Sequence, residues 1–276
     1  LDLGDNIDKG NIYLFLDGWI FPTDASINVA ISQSEKTKVI APYIQVMDSD
    51  GKWITAVENV GFPMGKNKTI IIDLSDKFPT DDHRVKIRTN MQIYWDYIFH
   101  SPNTNNKSIV STQMNPSFAD LHYRGFSEMY RKGNRYGPHW FNYNKVSKKP
   151  KWRDLEGKYT RYGDVIPLLE KSDNMYVIAN AGDEMTVEFD ANSLPELKTG
   201  WKRDFLIYSV GWVKDGDMNT AEGQTVEPLP FHEMSEYPYG EKEYFPSDYE
   251  YQRYMELYNV REITSEQFKR AIYDLY

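Results

Sequence analysis

The sequence predicts a mostly β protein with two packed β-sandwich modules and a short helical tail at its C-terminal end. Short apolar segments separated by turn residues recur along most of the chain, as expected for many short strands. Aromatic residues make up 15% of the chain, with 21 Tyr and 7 Trp, and such rings pack well on pleated sheets. Clear helical periodicity is confined to residues 247–276. Many strands with few helices favour a sandwich architecture.

The predicted organisation has four parts. A β-sandwich module takes residues 1–100, and an irregular aromatic-rich connection takes 101–150. A second β-rich module follows in 151–245, and the helical tail takes 246–276.

The first module is predicted to hold six strands and one short helix. Residues 23–34 have a weak helical period that starts at Thr23 and Asp24. A run of three Ile suits a strand buried on both faces. The last two strands are separated by a break near Asn90 and Met91. The segments that hold the strands are 11–20, the hairpin 41–60 with its turn at 48–51, the triple-Ile strand 68–75, and 83–99.

The connection at 101–150 is rich in Gly, Pro, Asn and aromatic residues without periodicity. Long loops of this kind are functional or are packed down by their own side chains. We therefore expect Tyr136, His139, Trp140 and Phe141 to pack on the fold. If these rings are instead exposed together, they form a candidate surface for a protein partner or a glycan.

The second module is predicted to contain a hairpin at 174–191 and a long strand at 201–213, followed by a Pro-containing edge or loop at 225–231. In the tail, one face of the helix at 247–260 carries Tyr251, Tyr254, Met255 and Tyr258. A second helix at 264–276 begins with a capping box, and it should bury Phe268, Ile272 and Leu275.

Composition excludes several classes of function. The net charge is −9, whereas a nucleic-acid partner requires a concentrated basic surface. No stretch approaches the roughly 18 apolar residues that cross a membrane. The chain has no Cys, which excludes disulfides, thiolate metal sites, c-type haem attachment and cysteine nucleophiles. No phosphate-binding loop or dinucleotide-binding motif is present, so no nucleotide cofactor is predicted.

The stretch "GWVKDGDMNT" carries a candidate calcium site. Asp215, Asp217 and Asn219 alternate at a spacing of two, and Ca²⁺ prefers such oxygen ligands. The distal Glu of a complete calcium loop is missing. The alternative is a polar turn in which these side chains bond their own backbone.

No catalytic residue is predicted. The five His form neither H-x-H nor H-E-x-x-H. His232 lies beside Glu233, but a general base would need a partner that the sequence does not identify. Adjacent carboxylates occur at Asp81–Asp82 and Asp183–Glu184. Neighbours on a strand point to opposite faces, so neither pair by itself suits glycoside hydrolysis.

Four long motifs resemble the C-terminal region of bacterial FG-GAP/VCBS-repeat proteins, which are related to the cartilage acidic protein (ASPIC/UnbV) family. They are "GWIFPTDASINVAISQS", "ENVGFPMGKNKTIIIDLSDKFPTDDHRVKIRTNMQIYWD", "YTRYGDVIPLLEKSDNMYVIANAGDEMTVEFDA" and "GWVKDGDMNTAEGQTVEPLPFH". The resemblance implies export and a calcium-decorated propeller upstream, with an adhesion or scaffold role. No repeated FG-GAP loop occurs in this chain. The strand pattern of 68–99 is also similar to a galactose-binding-like jelly roll.

We therefore expect a non-catalytic, exported binding or scaffold module within a larger multidomain chain or assembly. Its partners would be other protein chains, upstream domains of the same chain, or a glycan. The alternative is a carbohydrate-active enzyme or its accessory carbohydrate-binding domain. A concave pocket with convergent carboxylates would favour the enzyme, and a flat aromatic surface would favour the scaffold.

Overall fold

The structure is a computed structural model of the 276-residue chain. Strands hold 34% of the residues and helices 9%, in several antiparallel sheets, which confirms the mostly β class. The chain divides into two compact units, Leu1–Val110 and Ser111–Tyr276. The residues that the structure describes are 1–5, 7, 11–21, 23, 25–64, 67–102, 109–132, 139–149, 155–214 and 224–264.

The first unit contains two three-stranded antiparallel sheets and one helix. Its elements are β1 (Ile12–Ile20), α1 (Ala25–Ser32), β2 (Tyr43–Met47), β3 (Trp53–Val57), β4 (Lys68–Asp73), β5 (Val85–Arg88) and β6 (Ile93–Pro102). One sheet has the order β4-β1-β6 and the other has the order β3-β2-β5. The strand β1 therefore lies in the centre of the first sheet, and β6 lies at one of its edges.

Side chains from both sheets form one hydrophobic core in the first unit. Alternate residues of β1 are buried, including Leu14 and Leu16, and they belong to the same cluster as Ile44 and Val46 of β2. Burying one such side chain contributes about 1.5–3 kcal/mol. The remaining side chains of β1 point away from this core, since successive strand residues point to opposite sides.

The strand predictions for the first unit are largely confirmed, and so is the helix. The turn at 48–51 joins β2 to β3, where the Asp48 carboxylate accepts hydrogen bonds from the amides of Asp50 and Lys52. The break between β5 and β6 is held by the Asn90 side chain, whose amide donates to the Lys38 carbonyl at 2.7 Å. The turn is a local signal, which explains why the sequence reveals it, whereas the Asn90 bond joins residues that are 52 apart.

The prediction that the triple-Ile strand is buried on both faces is wrong. Ile72 is buried, but Ile71 is 61% exposed. Because β4 lies at a sheet edge with only one face on the core, its side chains alternate like those of any half-buried strand.

The described residues of the second unit form small antiparallel sheets, one α-helix and two short 3₁₀ helices, Ile166–Leu168 and Ala191–Ser193. Its elements are β7 (Phe118–Tyr123), β8 (Phe126–Arg131), β9 (His139–Ser147), β10 (Gly157–Tyr159), β11 (Gly163–Asp164), β12 (Asp183–Glu188), α2 (Tyr249–Leu257) and β13 (Arg261–Ile263). The sheets are β11-β7-β12, the pair β8-β9 and the pair β10-β13. The third pairing joins segments that are far apart in sequence.

The prediction of an irregular connection at 101–150 is wrong for most of its described residues. This region supplies the end of β6 and all of β7, β8 and β9. The strand β7 is central in its sheet and holds the buried Ala119 and Leu121. These strands mix polar and aromatic residues, so they lack the apolar alternation by which strands are recognised.

The helix α2 confirms the prediction for 247–260. The Asp248 carboxylate caps its first turn by accepting hydrogen bonds from the amides of Glu250 and Tyr251. Tyr254 is buried, and Tyr251, Met255 and Tyr258 pack around the same cluster. The second predicted helix with Phe268, Ile272 and Leu275 lies outside the described residues.

Two strand predictions in the second unit differ from the structure. In the hairpin predicted at 174–191, only the second strand forms, as β12. The described residues 201–214 contain no strand, although a long strand is predicted there. Strand propensity alone does not make a strand, because its backbone groups need a neighbouring strand. Among the described residues, no helix is long and apolar enough to span a membrane.

Candidate interaction surfaces

The candidate calcium ligands Asp215, Asp217 and Asn219 lie outside the described residues. Within the described ranges, no group of three or more His, Asp or Glu side chains is placed to hold a metal ion. The calcium site therefore stays a prediction that rests on the sequence.

The predicted aromatic surface falls on the β8-β9 hairpin. Trp140 is half-buried, and the Lys132 ammonium lies 4.2 Å from its ring centroid. His139 and Phe141 are exposed, which contradicts the expectation that they pack on the fold. The reason is their position on β9, where Trp140 points to one face and its two neighbours point to the other. Tyr136 lies outside the described residues, and a binding role for these side chains stays a prediction.

The segment 204–213, "DFLIYSVGWV", which we call the unpaired segment, is apolar and exposed. Leu206 is 100% exposed, Val213 97% and Tyr208 88%. Phe205, Ile207, Val210 and Trp212 are exposed as well. None of the backbone amides and carbonyls in this segment hydrogen-bonds to the backbone of another described residue. The segment thus has strand-forming side chains, and its backbone groups have no backbone partner in the described part of the chain.

Side-chain contacts hold the unpaired segment near both of its ends. The Arg203 guanidinium donates to the Pro195 carbonyl at 2.7 Å. On the other side, the Lys214 ammonium donates to the Val226 carbonyl at 3.2 Å. Burial raises the pKa of Tyr176, and a hydrogen bond from the Trp212 indole opposes this shift. The segment is therefore fastened at its ends, while its apolar middle faces solvent.

A second apolar surface lies on the side of the β4-β1-β6 sheet that faces away from the core, and we call it the outer face. Tyr97 is 63% exposed, and the exposed Ile71 lies across from Phe15 on β1. Asp17 accepts a hydrogen bond from the Thr69 hydroxyl at 2.7 Å within this surface. Its apolar members are Tyr13, Phe15, Trp19, Ile71, Tyr94, Tyr97 and Phe99.

The rings of the outer face pack against one another. The Phe15 and Phe99 rings are parallel within 3°, with centroids 4.6 Å apart. Tyr97 lies 5.2 Å from Phe99, and Trp19 lies 5.5 Å from Tyr94. Because parallel neighbours on adjacent strands cover each other's faces, Phe15 and Phe99 present edges to an incoming ligand. A sugar needs an open ring face on which to stack, so this arrangement suits a protein partner better than a glycan.

A slit of about 600 Å³ opens in the first unit. It is lined by residues of both sheets, among them Trp53 of β3, Ile87 of β5, and Trp95 and Ile98 of β6. The Lys86 ammonium lies 4.1 Å from the Trp53 ring centroid. The slit therefore borders the edges of both sheets, where β5 and β6 lie.

A polar network occupies one face of the β7-β12 pair. His122 contacts the Asp120 carboxylate at 2.9 Å and the Glu184 carboxylate at 3.4 Å. Arg124 binds the second oxygen of Glu184 at 2.9 Å, and the Tyr143 hydroxyl donates to Glu184 at 2.9 Å. Every acidic group in this network is thus bound by a positive or donating group. It resembles a structural ion-pair network more than a site with a free general base.

The opposite face of β12 holds a buried ion pair. The Asp183 side chain is 1% exposed, and Arg261 of β13 binds it at 2.5 Å. The Tyr162 hydroxyl donates to the other carboxylate oxygen at 2.8 Å. Burial, together with the bond to Asp183, raises the pKa of Tyr162 to about 12. This pairing ties the end of the described chain to the central sheet of the second unit.

The structure identifies the partner of His232 that the sequence does not reveal. The Asn174 side-chain oxygen lies 2.7 Å from Nδ1 of His232, and it also accepts the His232 backbone amide at 2.9 Å. The Tyr176 hydroxyl donates to the same oxygen at 3.2 Å. Since that oxygen can only accept, Nδ1 carries a proton and Nε2 is the acceptor in the neutral ring. Asn174 is buried, so this arrangement fixes the loop.

No protein-family model, no curated protein and no solved structure matches the chain. The unpaired segment, the outer face and the slit are therefore the features of the chain that bear on its function.

Proposed function

We propose that the chain is a non-catalytic binding or scaffold module that docks onto another protein chain, or onto an upstream domain of its own chain. The observation that carries this proposal is the unpaired segment, in which Leu206 is 100% exposed and no backbone group has a backbone partner among the described residues. The outer face is a second apolar surface that is exposed to solvent.

The size of the unpaired segment suits a protein partner. A buried Phe, Tyr or Trp side chain removes about 150–250 Å² from water, so three such rings contribute on the order of 500 Å². Four further aliphatic side chains bring the segment close to the about 800 Å² per partner of a standard interface. A strand that joins another sheet also satisfies its own backbone groups, which a small ligand cannot do.

The sequence supports a more specific proposal for the fold of the first unit and for the protein to which the chain belongs. The first unit is a galactose-binding-like jelly roll, and the chain is the C-terminal region of an exported FG-GAP/VCBS-associated protein. Two sheets around one core support the first statement, and the four long motifs support the second. Calcium bound at Asp215, Asp217 and Asn219 would lie directly after the unpaired segment, and it would fix that end of the segment.

Site-specific photocrosslinking tests the proposal. A photoreactive phenylalanine analogue replaces Tyr208 in the chain as it is made by its own cells, and crosslinked products are identified by mass spectrometry. The matched control places the same analogue at Tyr249, which is also strongly exposed but lies on α2. We expect one defined protein at position 208, lost when Leu206→Asp is added, and no such product at position 249.

The proposal fails if position 208 crosslinks to nothing or to the same mixture as position 249. A glycan-binding screen covers the carbohydrate alternative. Binding of a polysaccharide that Tyr97→Ala abolishes would favour an accessory carbohydrate-binding domain instead.

A further inference from the structure

We propose that the unpaired segment of one copy of this chain adds as a strand to the outer edge of β6 in a second copy. This inference rests on the proposed function, because it names the partner of the unpaired segment. It makes the chain a self-assembling module that carries both halves of its own interface.

The donor half is apolar on both faces. In a strand, Leu206, Tyr208 and Trp212 would point to one side, and Phe205, Ile207 and Val213 to the other. A strand with two apolar faces belongs inside a layered structure, where both faces are covered. The segment therefore calls for an acceptor with apolar surface on both sides of its edge.

The acceptor half is the edge strand β6. Over its length β6 pairs with β1 on one side, and no described residue pairs with its other side. Edge strands are usually protected by Lys, by Pro or by a short length. The strand β6 is 10 residues long and contains no Lys, and its one Pro is the terminal residue, Pro102. Only the irregularity at Asp96 interrupts it.

The two halves match in length and in the character of both faces. The unpaired segment and β6 each provide about 33 Å of strand, at roughly 3.3 Å per residue. An added strand would lie beside Tyr97 and Phe99 on the outer face. On its inner side it would lie beside Trp95 and Ile98, at the slit. Both of its apolar faces would thus meet apolar surface.

A second copy is the occupant that the chain itself supports, since donor and acceptor occur in the same sequence. The net charges of the two halves are opposite in sign. Residues 202–214 hold Lys202, Arg203 and Lys214 against one acidic residue, Asp204, whereas residues 93–101 hold Asp96 and no Lys or Arg. A reciprocal exchange gives a closed dimer, and a one-way exchange gives a longer chain.

Sedimentation velocity of the purified chain, over a range of concentrations, measures self-association. The donor variant is Leu206→Asp, which places a charge in the middle of the segment. The acceptor variant is Tyr97→Lys, which places a charge beside the edge at an exposed position. Leu197→Asp is the matched control, because Leu197 is also exposed but lies outside both halves.

We expect the wild type and Leu197→Asp to self-associate, and each of the two interface variants alone to sediment as a monomer. An equimolar mixture of Leu206→Asp and Tyr97→Lys should form a one-to-one complex, because each variant keeps the half that the other has lost. Nonspecific association through exposed apolar side chains would not show this complementation. Circular dichroism spectra that match the wild type show that the variants fold.

The inference is overturned if the wild type is a monomer throughout, if Leu206→Asp still self-associates, or if the mixture stays monomeric. A monomeric wild type that crosslinks at position 208 to a different protein overturns this inference alone. The proposed function fails only when position 208 has no defined partner of any kind.

Discussion

Asp183 and Glu184 are adjacent on β12, and their side chains lie on opposite faces of the sheet, each bound by an arginine. Arg261 binds Asp183 at 2.5 Å, and Arg124 binds Glu184 at 2.9 Å. The two-residue period of a strand separates the carboxylates. They therefore work as two structural anchors in the second unit, and they do not form a catalytic pair.

The Asp183 anchor should dominate the stability of the second unit. Asp183→Ala leaves the Arg261 guanidinium without its buried partner, and removing one member of a buried pair costs about 3–5 kcal/mol. Urea denaturation monitored by Trp fluorescence measures the loss. Asp50→Ala is the control, since the Asp50–Lys52 pair is exposed and 3.9 Å long, and such pairs contribute about 0–1 kcal/mol. Equal losses for the two variants would contradict this prediction.

Tyr162 should make the stability of the second unit depend on pH in the alkaline range. Its pKa is raised from 10.0 to about 12 in the folded chain. The unfolded chain therefore loses this proton first, and the stability from Tyr162 is complete below pH 10.0. It is lost as the pH rises through about 12. Ultraviolet titration of phenolate absorbance should show a late phase, to which the buried Tyr254 also contributes because burial raises its pKa as well, and Tyr162→Phe should lower the amplitude of that phase.

Asp183→Asn should shift the Tyr162 part of that late phase to lower pH, because the carboxylate is one cause of the raised pKa of Tyr162. Tyr244→Phe is the control, since the exposed Tyr244 can be removed without touching Asp183. A late phase whose amplitude is unchanged in Tyr162→Phe would assign it to other tyrosines and disprove the prediction.

Gly18→Ala should destabilise the first unit. Gly18 lies where the β1-β6 register shifts. A methyl group there would lie 2.6 Å from the Tyr94 carbonyl oxygen and 2.8 Å from the Trp95 ring. Overpacking of this kind typically costs about 1–3 kcal/mol. Gly211→Ala is the control, because a methyl group at Gly211 would meet no atom within 4 Å. Thermal denaturation of both variants tests the difference, and an unchanged melting temperature for Gly18→Ala would refute it.

Calcium should raise the melting temperature if Asp215, Asp217 and Asn219 bind it. An ion that binds the folded chain alone, at a concentration 100 times its Kd, stabilises by about 2.7 kcal/mol. Asp217→Ala should abolish the rise. Asp50→Ala should preserve it, because the Asp48–Gly51 turn is held by bonds to its own backbone. No response of the wild type to calcium would identify the stretch as a polar turn.

Local patterns predicted the first unit well, because its strands depend on apolar alternation and on a tight turn. The exposure of Ile71 was not predictable, since three consecutive Ile show no alternation. The strands β7 to β9 were missed because their sequences mix polar and aromatic residues. The apolar character of residues 204–213 was evident, but its lack of a neighbouring strand was not. Strand propensity is a property of a single segment, whereas strand pairing depends on two segments.

The contacts at the candidate sites were also only partly predictable from the sequence. The sequence indicated that Asp183 and Glu184 face opposite sides, because that follows from a local period. It did not reveal Arg261, which is 78 residues away from Asp183, or Asn174, which is 58 residues away from His232. Contacts over such distances depend on the whole fold.

The pairing of β10 with β13 has a consequence for the order in which the chain folds during synthesis. Gly157 pairs with Ile263, so the segment that completes this sheet is made long after its partner. Until Arg261 has left the ribosome, Asp183 lacks the cation that offsets its burial. The first unit takes all the strands of its two sheets from residues 12–102, and it can fold while synthesis continues. The nascent second unit must wait for nearly the last described residues, so synthesis that stops before Arg261 leaves a folded first unit joined to an unfinished second one.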